Sequence, residues 1–288
     1  MRAAQIDELT AAPKVVDLDE RPGLAIEAVA LNPLDIAVGS GTFYGGHPEL
    51  PYEPGCEAVV RTDSGGLLYV FGEGRGISRP GFLAERVDVS EELGFPLPDG
   101  TDPALAAAAG IAGVAAWVPV AWKARVMTGD RVLVLGATGA VGKIAVQAAE
   151  LLGAEVVLGV GRNDLARIPE VFGADGFTVC IDPLWGEPLA SALAHAAVHA
   201  RVVHVGQSAG PTAPLRSADV RGKELQVFGH SNFALSRDDL QRAYLELLEH
   251  VLAGRIDIAV ERYPLDRVAE AWEHQRSGPG GAKVTVAF

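Results

Sequence analysis

"RVLVLGATGAVGKIAVQAAELLGAEVVLGVGRND", running from Arg131 to Asp164, changes its hydrophobic period three times. Val132 to Leu135 is a continuous apolar run of the length of a buried strand. A glycine-rich turn follows, and then a stretch with apolar residues at helical spacing that stops at Gly153. "EVVLGVG" is a second apolar strand. Strand, turn, helix and strand in this order predict a βαβ unit of a parallel sheet. In that context the glycines have physical tasks. Gly139 lets the backbone approach a pyrophosphate, and Gly142 lets the helix pack closely on the strand. The helix N-terminus then offers the phosphates its unpaired N–H groups and positive dipole end. Ala137, Thr138, Gly139, Ala140, Val141 and Gly142 are the expected cofactor contacts.

The residues after the second strand choose the cofactor. An acidic residue there bonds a ribose hydroxyl and favours NAD. Here the strand is followed by Arg162 and Asn163. Arginine suits a 2′-phosphate, as a charge and as a planar fork, which points to NADP (NADPH). Asp164 keeps NAD open, and Arg162 can also be read as a solvated loop residue. Farther on, "ARVVHVG" reads as a strand ending in Gly206, Gln207 and Ser208, and such strand ends line the crevice of open sheets.

Outward from this unit, "FTVCIDP", "ARVVHVG" and "LQVFGH" continue the strand series, with "GEPLASALAHAAVH" read as a helix between two of them. "SRDDLQRAYLELLEHVLAG" and "LDRVAEAWEHQ" are amphipathic helices, and "AKVTVAF" is a last strand. The first hundred residues are strand-like and rich in Gly and Pro. "EAVVRTDSGGLLYVFGEG" reads as two strands joined by a turn, and "FLAERVDVS" as another strand. Asp102 before Pro103 is the expected N-cap of a helix. The apolar run Ala104 to Trp122 approaches membrane-span length, but it is mostly Ala and Gly with a Pro inside, and is read as buried helix.

With 288 residues and a net charge of −13, the chain is long enough for two domains and too acidic for a phosphate-backbone binder. No nucleic-acid or membrane partner is expected. Two cysteines make no disulfide framework and fit a reducing compartment, so a cytoplasmic protein is expected. None of the five tyrosines has a lysine four residues on, which excludes a Tyr-x-x-x-Lys catalytic pair.

Several segments, in this order, carry a family resemblance: "LNPLDIAVGSGTFYGGHPELPYEPGCEA", "AAAAGIAGVAAW", "VLVLGATGAVG", "CIDPLWGEPL", "ARVVHVGQSAG" and the terminal "GGAKVTV". The chain resembles the zinc-independent quinone oxidoreductases of the medium-chain dehydrogenase/reductase superfamily. The resemblance implies an α/β fold in which a Rossmann-type parallel-sheet cofactor domain is inserted into a GroES-like, β-rich catalytic domain. The implied boundaries are 1–117, 118–254 and 255–288. It implies a homodimer acting on a small-molecule substrate, and it puts Lys283 of the terminal motif among the cofactor contacts.

The resemblance also bears on metal. Zinc-dependent relatives carry ligands at positions matched here by Asn32, Cys56 and about Ile111. One thiol, one amide and one hydrocarbon do not make a tetrahedral zinc site, so no metal is expected. Polarisation of a substrate carbonyl then falls to Asn32, Tyr44 or Tyr52. The implied activity is NADPH-dependent hydride transfer to a quinone or an α,β-unsaturated carbonyl. Between Arg162 and Asp182 the chain is shorter than the family norm, by one strand–helix unit, and it is also short around "GEGRGISRPG". These trims keep open an alternative, a relative that holds the nucleotide but has lost turnover.

Overall fold

The computed structural model describes residues 1–288. In chain order the strands and helices are β1 (Arg2–Gln5), β2 (Lys14–Asp17), β3 (Leu24–Ala30), α1 (Pro33–Gly39), β4 (Glu57–Arg61), β5 (Leu67–Phe71), β6 (Arg86–Val87), β7 (Phe95–Pro96), α2 (Pro103–Ala108) and α3 (Ile111–Trp117). Then come β8 (Arg131–Leu135), α4 (Ala140–Leu151), β9 (Val156–Val160), α5 (Arg167–Phe172), β10 (Phe177–Asp182), α6 (Gly186–Leu193), β11 (Ala196–His204), α7 (Ser217–Gly222) and β12 (Gln226–Gly229). α8 (Arg237–Leu252), β13 (Val260–Pro264), α9 (Val268–Ser277) and β14 (Lys283–Ala287) complete the chain. Two compact units result: Met1–Ile111 with Ile258–Phe288, and Ala112–Asp257.

The first unit is built on a mainly antiparallel sheet of order β13-β14-β3-β4-β5-β7, with β6 also paired to β3. β4 and β5 form the expected hairpin, closing with Arg61 opposite Leu67. Its core gathers Ile6, Val29, Leu31, Val60, Phe82, Trp272, Val284 and Val286, so strands from both ends of the sequence share one interior. The alternation of "FLAERVDVS" yields only the two residues of β6. Ala84 adds a single bridge to Ala3, so this stretch serves as a short connector and not as a full strand.

The second unit is a five-stranded, all-parallel sheet of order β9-β8-β10-β11-β12. Its inner strands β8 and β10 are apolar on both faces because helices cover them, and Leu133, Leu158, Phe177, Cys180 and Val202 lie in its core, while the edge strand β12 is largely exposed. This order is what the six-strand dinucleotide-binding order 3-2-1-4-5-6 becomes when its outermost strand, the third, is removed. Only the short α5 lies between β9 and β10, which is where the sequence is short. The stretch expected as one helix from Gly186 divides. α6 ends at Leu193 and β11 already begins at Ala196. β-branched Val198 and the residues after it favour the strand.

Asp102 caps α2 as expected, its carboxylate accepting from the amides of Ala104 and Leu105. The apolar run that follows is broken at Ala109–Gly110 into α2 and α3, and no helix is long and apolar enough to cross a membrane.

Candidate active site

In the second unit the glycine turn forms at the C-terminal end of β8. Gly136 sits at φ +61°, and the turn closes with the Gly139 amide donating to the Gly136 carbonyl at 3.0 Å. The Ala137 amide donates to the Val160 carbonyl at 3.0 Å, tying the turn to the end of β9. α4 starts at Ala140 with Gly139 as N-cap and no side chain on its first amides. Thr138 and Gly139 are exposed, Ala140 and Val141 half-buried, and Gly142 buried. A Cβ at Gly142 would lie 2.4 Å from the Gly136 carbonyl oxygen, so only glycine lets α4 sit this close. A Cβ at Gly139 would meet nothing nearer than 3.5 Å. The space over Gly139 is open, as the approach of a phosphate requires.

Arg162 and Asn163 are exposed just past β9. The Arg162 guanidinium donates to the Ser208 carbonyl at 3.2 Å, so the loops after β9 and β11 meet over the strand ends. Gly206 is half-buried, and Gln207 and Ser208 are exposed.

In the first unit polar groups converge in the interior. Asn32 precedes α1, and its side-chain nitrogen donates to Glu57 at 2.7 Å and to the Ala30 carbonyl at 3.2 Å. Its side-chain oxygen accepts from the Lys283 ammonium at 2.5 Å. Lys283 also donates to the Leu31 carbonyl at 2.9 Å and lies 3.9 Å from Glu57. The other Glu57 oxygen accepts from the Tyr69 hydroxyl at 2.7 Å and the Ile111 amide at 2.6 Å. The break at Gly110 permits this approach, since a Cβ there would lie 2.0 Å from that oxygen. Asp35 accepts from the amides of Asn32, at 2.7 Å, and Cys56, at 2.9 Å. Burial pushes the Asp35 and Glu57 carboxyls up and the Lys283 ammonium down, while the surrounding donors and the opposite charges pull each back. The network holds together because every charge has partners.

A family model described as zinc-binding dehydrogenase matches residues 152–286. The quinone oxidoreductase of Pongo abelii is 27% identical over 317 residues, covering 97% of this chain and 95% of that protein. The human quinone oxidoreductase is 26% identical with the same coverage. Among solved structures, the quinone oxidoreductase from Thermus thermophilus, determined also with NADPH, superposes with a TM-score of 0.82 at 26% identity, covering all of both chains. An NAD-dependent alcohol dehydrogenase superposes at 0.85 with 22% identity, again over both whole chains. Over its whole length the chain is therefore similar to quinone oxidoreductases of the medium-chain dehydrogenase/reductase superfamily.

For a chain with this likeness the description "zinc-binding" must be tested against the donors present, and they do not fit zinc. Both hydrogens and the oxygen of the Asn32 side chain are engaged. Cys56 is fully buried, and burial with Asp35 and Glu57 nearby pushes its thiol well above its ordinary value, against the thiolate that zinc needs. At Ile111 only a backbone N–H points inward. An ammonium beside Glu57 repels a dication. No group of three or more His, Cys, Asp or Glu residues in the chain is arranged to hold a metal.

Of the residues expected to act on substrate, the structure brings Asn32 into this network but commits its amide there. Tyr52 is buried, with no hydrogen-bond partner for its hydroxyl. Burial and the nearby Asp35 and Cys56 raise its pKa. Tyr44 is 87% exposed, ring to ring with Phe43 at 4.4 Å, and takes no part in the network. Lys283 does not offer its charge to a cofactor as expected. It is buried in the first unit, where Leu31, Asn32 and Glu57 hold its ammonium. Asp35, Glu57 and Tyr69 were absent from the expected site residues. A lysine inside the apolar strand "KVTVAF" and a glutamate opening "EAVV" were the available signal, because charges placed in buried strands need each other.

Proposed function

We propose that this chain is an NADPH-dependent oxidoreductase that transfers hydride, without zinc, to a small-molecule quinone or α,β-unsaturated carbonyl, acting as a cytoplasmic homodimer. The observation that carries the proposal is the turn from Gly136 to Gly142, with its open space over Gly139 and its uncapped helix start. A bound nicotinamide supplies the hydride. Ala137 to Gly142 would hold the pyrophosphate by backbone N–H groups, and Arg162 with Asn163 would meet the adenosine 2′-phosphate once Arg162 leaves the Ser208 carbonyl. Tyr52 is a buried hydroxyl of the first unit without a partner and an orienting group for a carbonyl, but its raised pKa makes it a reluctant proton donor.

Arg162→Ala tests the cofactor preference. NADPH affinity should fall about tenfold, roughly the effect of one charge-assisted contact, while NADH affinity stays nearly constant. Equal losses for both cofactors would remove the NADP reading. Turnover against a panel of quinones and enones, with and without chelator, tests the activity. Sensitivity to the chelator would overturn the zinc-free part, and failure to bind NADPH at millimolar concentration would overturn the whole. A second reading, a nucleotide-holding relative without turnover, is favoured by the missing third strand and by the Arg162–Ser208 contact. Saturable NADPH binding with no turnover on any panel member selects it.

A further inference from the structure

Three side chains at the C-terminal ends of β10 and β11 remain outside the glycine turn. Asp182 closes β10 and is fully buried. One of its oxygens accepts from the amides of Leu184 and Trp185, each at 2.9 Å. The other oxygen is buried and has no hydrogen bond. His204 closes β11 directly opposite it in the parallel register. Its Nδ1 is also buried and unbonded, and lies 3.4 Å from that free Asp182 oxygen. Each atom is thus the other's available partner, and a small rotation of the ring turns the contact into a hydrogen bond. The pairing puts a proton on Nδ1 and leaves Nε2 for other work. The His204 side chain keeps 29% of its surface exposed, although Nδ1 itself is sealed. The third side chain is the Trp185 indole, which packs on the imidazole with ring centroids 4.2 Å apart.

Trp185 reaches that position at a conformational cost. Its φ of +60° and ψ of −162° fall in a region that suits glycine almost alone. A large aromatic residue held in such a backbone, over a histidine whose inner nitrogen faces a buried carboxylate, is a constrained arrangement of the kind found at functional sites. The location agrees. In open α/β sheets ligands bind outside the carboxyl ends of the strands. His204 stands two strands from the glycine turn, roughly 10 Å along the sheet.

We infer that His204, oriented by Asp182 and braced by Trp185, is the proton donor of the reduction, an inference that rests on the oxidoreductase reading above. The substrate receives hydride, two electrons and one proton, from the reduced nicotinamide. The oxygen that becomes anionic takes a second proton from Nε2 of the His204 imidazolium. The imidazole keeps its Nδ1 proton toward Asp182 and regains the other from water. The charged or titratable groups on the elements beside His204 are Asp182 on β10, His230 just past β12, and Lys123, whose ammonium bonds the Gly229 carbonyl.

The test compares the full-length protein with His204→Gln and His204→Gly. Both variants should bind NADPH within about twofold of wild type. For His204→Gln, kcat should fall on the order of 100-fold, and the decline of kcat with rising pH should disappear with the acid that causes it. In His204→Gly, added free imidazole should restore part of the lost rate, which a merely structural histidine would not allow. Wild-type kcat and pH profile in His204→Gln overturn the inference and leave the proposed function standing. Loss of NADPH binding in both variants, or no rescue in His204→Gly, also overturns it in favour of a structural role. A wild-type protein that binds NADPH without turnover on any panel member overturns the oxidoreductase reading and the proton-donor role with it.

Discussion

His230 shows how strongly one buried side chain can tie stability to pH. It lies at the end of β12, with Nε2 2.9 Å from the Asn232 side-chain oxygen and Nδ1 buried without a partner. Burial lowers its pKa to about 4, with Lys123 adding to the effect and Asn232 opposing it. The folded pKa lies below the unfolded value, so the unfolded chain binds the proton first on acidification. The stability contributed by the neutral ring is complete above pH ~6.5 and is lost as the pH falls toward about 4. That span corresponds to about 3 kcal/mol of unfolding free energy. Urea unfolding of wild type and His230→Gln at pH 7 and pH 4 should show a smaller acid loss in the variant by about this amount. Equal losses would mean that the ring is not held neutral. The same scale marks the limit of the sequence. The glycines could be assigned because each task follows from local backbone geometry. The fate of Lys283 could not, because its partners Leu31, Asn32 and Glu57 lie more than two hundred positions away. Tyr44 and Tyr52 are both candidates in the sequence, with Tyr52 the cleaner motif match, and only packing separates an exposed ring from a sealed one.

At the scale of elements, α4 and the turn before it separate two uses of glycine. Gly142→Ala drives a Cβ into the backbone of Gly136 and Ala137, at 2.4 and 2.6 Å. Backbone cannot yield as a flexible side chain does, so the variant should lose stability, by roughly 1–3 kcal/mol as overpacking usually costs, and nucleotide affinity too. Gly139→Ala meets only one atom at 3.5 Å and keeps a φ of −88° that any residue adopts. It should fold with an unchanged melting temperature and still bind NADPH at least tenfold more weakly, because the methyl fills the space a phosphate oxygen needs. Thermal melts paired with NADPH titrations read both effects. Unimpaired binding in Gly139→Ala would show that no phosphate approaches there. All five parallel strands of this unit were legible as mainly apolar runs, most plainly β8 and β10, since strands buried on both faces need no alternation. The short stretches were not. β6 and the boundary between α6 and β11 depend on tertiary pairing that overrides local pattern.

Across the whole molecule, one unit is continuous and the other is not. β14 lies between β13 and β3, so the first unit cannot complete its sheet until residues 258–288 return to it. Closing so long a loop is slow relative to the local pairings of residues 112–257. In pulse-labelling hydrogen exchange during refolding, amides of β8 and β10 should gain protection before those of β3 and β14, and the reverse order would contradict this. The absent third strand has a further consequence. β9, Val-Val-Leu-Gly-Val, is now the margin of its sheet, with a row of outward amides and carbonyls that no strand pairs. Such an apolar margin invites strands from other molecules and is a seed for aggregation. Glu155 stands on one side of it, and Arg162, Asp164 and Arg167 follow on the other, a flanking of charge that discourages intermolecular pairing. Arg162 is therefore one of the charges placed where they oppose pairing of this margin with a strand of another molecule.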